Sequence, residues 1–272
     1  KHFSIHQKNE PITLHTSDEF GDLAGALNII AEDLNNFDDY QRAFISNISH
    51  DFRSPLTSIH GYAQAMLDGT IPYEAQEKYL NIILSETDRL TNLTSNLLEL
   101  NSFNGDNVLL DITTFNICET IVQTVNTLEG TAAKKEISFV LDYNTQKELL
   151  VEADESKIHQ VLYNLIDNAV KFSHNNSEIK ISLRKKGAKV FVSVKDSGIG
   201  IPKESLNKVF DRFYKTDISR GKDKRGTGLG LSISKEIIQA HNQTINVVST
   251  VDVGTEFVFT LKYHSKKQEA SS

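Results

Sequence analysis

The feature that most constrains this chain is a stripe of apolar residues near its start. Leu23, Leu27, Ile30, Leu34 and Phe37 recur at alternating spacings of four and three. That is the period of a coiled-coil seam, and a long helix packed against another helix is what buries it. Ser17 or Asp18 can cap the start, with Glu19 and Asp22 acidic in the first turn, where the helix dipole favours negative charge. Phe44, Ile48, Leu56, Ile59, Ala63 and Met66 extend the stripe, with Pro55 expected to interrupt it. Asp68-Gly69-Thr70-Ile71-Pro72 reads as a helix stop and a turn. A second helix is expected from about Pro72 to Phe103, where Leu80, Ile83, Thr87, Leu90, Thr94 and Leu97 keep a similar spacing. Two such helices form an antiparallel hairpin with one apolar side uncovered. A second copy would bury that side as a four-helix bundle, so a homodimer is expected.

Upstream, residues 1 to about 16 hold no helical period and contain Pro11, so they read as irregular or extended. Downstream, Asn104-Gly105-Asp106-Asn107 ends the hairpin and marks a domain boundary. From residue 108 the period changes. Helix-like stretches (about 116–133, 156–172, 203–212 and 228–241) alternate with strand candidates at Ser138–Leu141, Leu149–Glu152, Ile179–Leu183, Val190–Val194, Ile245–Ser249 and Phe257–Leu261. The short polar turns Arg184–Lys189 and Val251–Thr255 make antiparallel neighbours of the strands they join. The fold class is therefore α and α/β multidomain: a helical hairpin, then an α/β sandwich with helices on one face of a mixed sheet. The tail Ser265–Ser272 is polar and is expected to be disordered.

Composition narrows the function classes. A net charge of -7 over 272 residues argues against an electrostatic nucleic-acid binder. Cys118 is the only cysteine, which excludes an intramolecular disulfide framework and a multi-cysteine zinc site. No apolar run approaches the roughly 20 residues a membrane helix needs. A start at Lys1 rather than Met is expected to mean a fragment, with any membrane segment lying elsewhere.

Four clusters carry chemistry. In Ser46-Asn47-Ile48-Ser49-His50-Asp51-Phe52-Arg53-Ser54-Pro55-Leu56, a histidine stands beside a carboxylate, five residues before a proline. Proline in a helix interior removes a hydrogen bond and costs about 3 kcal/mol, which simple packing does not call for. Asp51 can hydrogen-bond one ring nitrogen of His50 and leave the other as a nucleophile. Next, Asn164, Asn168 and Phe172 share one face of a helix, with Lys171 close by. Two carboxamide oxygens there can hold a Mg²⁺ ion that keeps most of its water, and Lys171 offers a charge to phosphates. Asp196-Ser197-Gly198-Ile199-Gly200 follows a strand, so its glycines allow close backbone approach, and Asp196 can accept from an exocyclic amine. Gly226-Thr227-Gly228-Leu229-Gly230 opens a helix whose free N–H groups suit an anion. Between them, Phe210–Lys215 leads into a loop carrying Arg220, Lys222, Lys224 and Arg225, which reads as a lid over a polyphosphate. Taken singly, each cluster also fits a plainer reading: a surface histidine on a kinked helix, a polar helix face, a solvated basic loop.

The ordered set resembles the sensor histidine kinases of two-component systems, whose ATP-binding fold is shared with gyrase-type ATPases and heat-shock chaperones. His50–Leu56 looks like the phosphoacceptor H box, Asn164–Phe172 the N box, Asp196–Gly200 the G1 box, Phe210–Tyr214 the F box and Gly226–Gly230 the G2 box. Gly254-Thr255-Glu256-Phe257 resembles the closing glycine-threonine strand, and Asp18–Leu23 the start of the second HAMP helix. The resemblance implies a C-terminal HAMP part and coiled-coil linker at 1–36, a dimerisation and phosphotransfer hairpin at 37–104, a catalytic ATP-binding domain at 105–264, and a tail at 265–272.

It also implies roles. His50 would be the phosphorylated nucleophile and Asp51 its activating base. Asn168 would be the main magnesium ligand, supported by Asn164. ATP would meet Lys171, Phe172, Asp196, Gly198, Gly200, Lys215, Gly226, Thr227, Gly228, Leu229 and Gly230. Ser54 stands where relatives that dephosphorylate their partner place threonine or asparagine. The implied activity is autophosphorylation of His50 from Mg-ATP, then transfer to an aspartate of a cognate response regulator, with possible regulator phosphatase activity. A phosphatase-dominant regulator and a gyrase-like conformational ATPase are the alternatives. The implied setting is the cytoplasmic portion of a bacterial plasma-membrane protein, with no nucleic-acid partner.

Overall fold

A computed structural model describes residues 12–13, 19–102, 109–143, 148–216 and 226–265, excepting the side chains of Glu19, Asp33, 36–40 and Ala43. The expected cap at Ser17 or Asp18, the seam position Phe37, the boundary turn at 104–107, the loop cations Arg220, Lys222, Lys224 and Arg225, and the tail beyond 265 lie outside that description. The chain divides into two compact units, Lys1–Thr87 and Asp88–Ser272.

In the first unit, helix α1 runs unbroken from Glu19 to Leu67. Pro55 lies inside it. Proline removes one N–H, and the turns on either side carry the helix across. Before α1, the Ile12 backbone exchanges two hydrogen bonds with the Asn28 amide, at 2.8 and 2.9 Å. Gly69, at φ 79°, closes the helix end in the left-handed conformation that glycine adopts without strain. After a 3-10 turn at Tyr73–Ala75 comes α2, Gln76–Ser102. Tyr62 on α1 and Tyr79 on α2 meet as a tilted ring pair with centroids 5.1 Å apart, a contact that links the two helices of the hairpin. The seam residues Leu23, Leu27, Ile30 and Leu34 are all exposed in the single chain.

The second unit is an α/β sandwich. Its strands are β1 (Thr113–Asn116), β2 (Ser138–Asp142), β3 (Leu150–Ala153), β4 (Glu178–Lys186), β5 (Lys189–Lys195), β6 (Ile245–Thr250) and β7 (Gly254–Tyr263). They form one sheet in the order β1-β3-β7-β5-β4-β2, with β6 also on β7. Among the described residues only β2 and β4 pair in parallel, so the expected mixed sheet is present. Alternating Ile179, Ile181 and Leu183 on β4, Val190, Val192 and Val194 on β5, and Phe257, Phe259 and Leu261 on β7 point into one core. Helices α3 (Ile117–Ala133), α4 (Glu155–Phe172) and α5 (Gly230–Ala240) cover that face. They contribute Ile121, Leu128, Ile158, Leu162, Ile166, Ile233 and Ile237, and each such side chain adds about 1.5–3 kcal/mol on burial.

One local expectation fails. The stretch 203–212 is not a helix; it is a 3-10 turn at Lys203–Ser205 followed by further turns. Leu206, Val209, Phe210 and Phe213 mimic a helical period, but Phe213 takes φ 63°, which ends any helix there. Strand β1 went unread because it is four residues long and runs straight into the Asn116 cap of α3, whose side chain accepts the Cys118 N–H at 3.3 Å.

Candidate nucleotide site

Helix α4 is the platform. Asp154 caps it, with Oδ1 accepting the Lys157 N–H at 3.1 Å and the Ser156 hydroxyl at 2.8 Å. Its apolar face is buried in the core, which turns Asn164, Asn168 and Lys171 towards a cavity of about 600 Å³. That volume suits a nucleotide-sized ligand. The cavity is bounded by Asp196, Ile199 and Gly200 on one side, by Lys215, Gly226, Thr227 and Gly228 on another, and by Thr255 and Phe257 from β7. The three glycine- and asparagine-bearing clusters, separate in sequence, thus meet in one place.

The Asp196 end is rigidly built. Asp196 Oδ1 accepts the Gly198 N–H at 2.9 Å and the Thr255 N–H at 3.1 Å. Its Oδ2 takes no hydrogen bond among the described residues and remains free for a donor on a ligand. Burial pushes the Asp196 carboxyl up to about 6, against the two backbone N–H groups that favour its ionised form. Glycine is needed twice nearby. A Cβ at Gly198 would stand 2.3 Å from the Phe172 carbonyl oxygen, and one at Gly200, with φ 67°, 2.1 Å from that of Thr250.

At the opposite end, the segment around 213–216 returns against 226–230. The Phe213 N–H donates to the Gly228 carbonyl at 3.0 Å, and a Cβ on Gly228 would stand 2.9 Å from the Phe213 backbone. The Lys215 ammonium donates to the Gly226 carbonyl. The two ends of the basic loop are therefore pinned together. Tyr214 anchors this segment through a 2.9 Å hydrogen bond from its hydroxyl to Ser205.

Several expected contacts have other duties. The Asn164 amide donates to the Gly230 carbonyl at 3.1 Å and to Ser234 Oγ at 3.4 Å, tying α4 to α5. Lys171 pairs with Asp167 at 2.7 Å, one turn back on the same helix. Two residues expected to touch the nucleotide do not line the cavity: Leu229 is fully buried in the core at the start of α5, and Gly198 is packed on the end of α4. Conversely, Asn92 and Asn96 of α2, and Gln160 and Tyr163 of α4, line it although no motif marks them, and Thr255 of the glycine-threonine strand joins them. The asparagines sit in a helix whose period is set by its apolar stripe.

His50 lies on α1 in the first unit, with its side chain 82 % exposed and its Nδ1 3.5 Å from Asp51 Oδ1. Ser54 is exposed one turn further along. Phe52, Arg53, Leu56, Thr57 and His60 line a shallow hollow beside it.

Two family models match the chain. Residues 40–105 match the His Kinase A phospho-acceptor domain, and residues 153–265 match the histidine kinase-, DNA gyrase B- and HSP90-like ATPase domain. The chain is 33% identical over 258 residues to the sensor histidine kinase WalK of Bacillus subtilis, covering 92% of this chain and 42% of that protein. It is 35% identical over 226 residues to the sensor protein kinase WalK of Staphylococcus aureus, covering 81% of this chain and 53% of that protein. The chain thus spans about half the length of the curated relatives it matches. Among solved structures, the catalytic domain of histidine kinase ThkA is 36% identical, with a TM-score of 0.50, over 56% of this chain and 95% of that one. ThkA in complex with the response regulator TrrA is 32% identical, with a TM-score of 0.66, over 82% of this chain and 61% of that one.

Proposed function

Since this chain belongs to the sensor histidine kinase family, we propose that it transfers the γ-phosphoryl group of ATP to His50. The observation that carries this is the exposed imidazole of His50 with Nδ1 turned to Asp51. With the Nδ1 proton directed at that carboxylate, Nε2 keeps its lone pair and faces solvent. Attack by Nε2 on the γ-phosphorus forms an N–P bond as the bond to the β,γ-bridging oxygen breaks and ADP departs with the electron pair. The ring then carries positive charge, which Asp51 offsets. Most of the acceleration is expected from positioning and from charge stabilisation around the phosphates.

The cavity residues fit Mg-ATP. Asp196 Oδ2 is free to accept from the adenine amine, Phe172 lines the wall, and the backbone around Gly226–Gly230 approaches the phosphates. Among the described residues no group of three or more His, Cys, Asp or Glu gathers as a cage. A lone carboxamide donor set of that kind suits a magnesium ion that arrives with phosphates and keeps water, and Asn168, with Asn164 beside it, would hold it. When bound, the ion supplies positive charge to the phosphate oxygens.

The phosphoryl group would pass on to an aspartate of a response regulator seated in the hollow beside His50. Leu23, Leu27, Ile30 and Leu34, exposed in the single chain, would be buried by a second copy, giving a homodimer. Residues 1–36 would be the C-terminal part of a HAMP domain and a coiled-coil linker, and the chain would be the cytoplasmic part of a membrane protein; no described helix is long and apolar enough to cross a bilayer. A second reading rests on Ser54: its exposed hydroxyl, one turn from His50, can orient water for removing phosphate from the regulator.

Incubation with magnesium and γ-labelled ATP tests the main reading. Acid-labile label on the wild type and none on His50→Gln supports it; label retained by His50→Gln overturns it.

A further inference from the structure

We propose that Lys135, between α3 and β2, is a positioning residue for the nucleotide site, acting by closing the C-terminal end of α4. This rests on the ATP reading above. A helix leaves its last four carbonyls without partners inside the helix. In α4 those belong to Ala169, Val170, Lys171 and Phe172. The Ser173 N–H takes Ala169 at 3.0 Å, and the Ile199 N–H takes Phe172 at 3.2 Å. The middle two are both held by one ammonium: Lys135 Nζ donates to Val170 at 2.8 Å and to Lys171 at 2.6 Å. A cation there also meets the negative end of the helix dipole. Lys135 is itself anchored, because its carbonyl accepts the Asn176 N–H at 3.0 Å.

Both ends of the nucleotide depend on this helix end. On its last turns stand Asn168, Lys171 and Phe172. Against it rests the loop that carries Asp196: Ile199 donates to Phe172, Ser173 bridges to Gly198, and the His174 N–H donates to the Ser197 carbonyl at 3.3 Å. Gly198 can approach that closely only because it has no Cβ. If the last turn of α4 frays, the metal-side and adenine-side groups lose register together. Lys135 lines no part of the cavity, so its effect must run through α4.

The test uses the full chain and compares Lys135→Met and Lys135→Arg with Asn116→Ala, which removes the cap of α3 away from the cavity. Melting temperature, affinity for a non-hydrolysable Mg-ATP analogue, and KM and kcat for His50 labelling are measured for each. Two charge-assisted hydrogen bonds are at stake, so Lys135→Met should weaken nucleotide binding and raise KM about tenfold or more, with a smaller change in kcat. Arginine can still donate to both carbonyls and should restore binding to within about threefold. Asn116→Ala should lose stability without losing affinity. Wild-type affinity in folded Lys135→Met, or equal weakening by Asn116→Ala at equal loss of melting temperature, overturns the proposal. Should Lys135→Met not fold, hydrogen exchange on Lys135→Gln decides: faster exchange confined to residues 169–174 and 196–200 supports it, and uniform loosening refutes it. Failure of the wild-type chain to bind the analogue would overturn the ATP reading instead, and this proposal with it.

Discussion

Asp196 Oδ1 accepts the backbone N–H of Thr255 at 3.1 Å, joining residues 59 positions apart in the chain. That bond and the one from Gly198 fix one carboxylate oxygen and leave the other for a ligand. Burial nevertheless dominates and lifts the carboxyl from 3.8 to about 6. A raised carboxyl favours the protonated form in the folded state. The advantage is complete below about pH 4 and is lost as pH rises through 6, which amounts to about 3 kcal/mol. Asp196→Asn, which keeps the Oδ1 acceptor, should therefore melt higher than wild type at pH 8 and match it near pH 4. The same variant should bind Mg-ATP at least tenfold more weakly, since an amide presents N–H where adenine needs an acceptor. Wild-type affinity should fall as pH drops below 6. Thermal melts and titration calorimetry across pH 4.5–8 check all three, and identical melting curves at pH 8 would refute the burial argument.

Glycines at the site should be far less replaceable than glycines elsewhere at similar φ. Gly187, at φ 62°, has nothing within 4 Å of where a Cβ would sit, so Gly187→Ala should cost only the left-handed backbone penalty of about 1–2 kcal/mol. Gly200→Ala adds a collision with the Thr250 carbonyl oxygen at 2.1 Å and should cost well above that, with loss of nucleotide binding. Denaturant melts of the pair measure the difference directly. Equal costs would mean the Gly200 loop yields easily.

The seam of α1 predicts oligomeric state. Ile30 is 55% exposed and Leu27 42% exposed in the single chain, at positions where a partner helix would cover them. Leu27→Glu with Ile30→Glu should turn a dimer into a monomer by light scattering, while leaving nucleotide affinity of the ATP-binding unit near wild type. A dimer that survives both charges would place the interface elsewhere.

How far the sequence disclosed this depends on the range of each interaction. The heptad stripe and the strand runs of β4, β5 and β7 are local patterns, and each element formed where its pattern lay. The asparagine and glycine clusters pointed to residues that meet at one cavity, but not that Asn164 would spend its amide on Gly230 or Lys171 its charge on Asp167. Those choices depend on which helix lies alongside. Lys135 was invisible for the same reason: Lys134 and Lys135 are adjacent and chemically alike, and only the tertiary fold decides which reaches α4. The false helix at 203–212 arose because buried Val209 and Phe213 satisfy a core through turns as well as through a helix.

The last prediction concerns Pro55, one turn beyond Asp51. Proline has no N–H to give to the Asp51 carbonyl four residues back, yet α1 continues through it. The helix therefore lacks one rung beside the pair formed by His50 and Asp51. On either side, Ser49 Oγ donates to the Ile45 carbonyl and Thr57 Oγ1 to the Arg53 carbonyl, each at 2.8 Å, which loosens the ladder further. Pro55→Ala restores the rung and should stabilise the helical unit by up to about 3 kcal/mol. If the missing rung lets the His50 segment adjust to meet ATP, the same change should slow His50 labelling several-fold without altering nucleotide affinity. Chemical denaturation and single-turnover labelling of the one variant separate the effects. A more stable protein that is labelled at the wild-type rate would show that Pro55 serves packing alone.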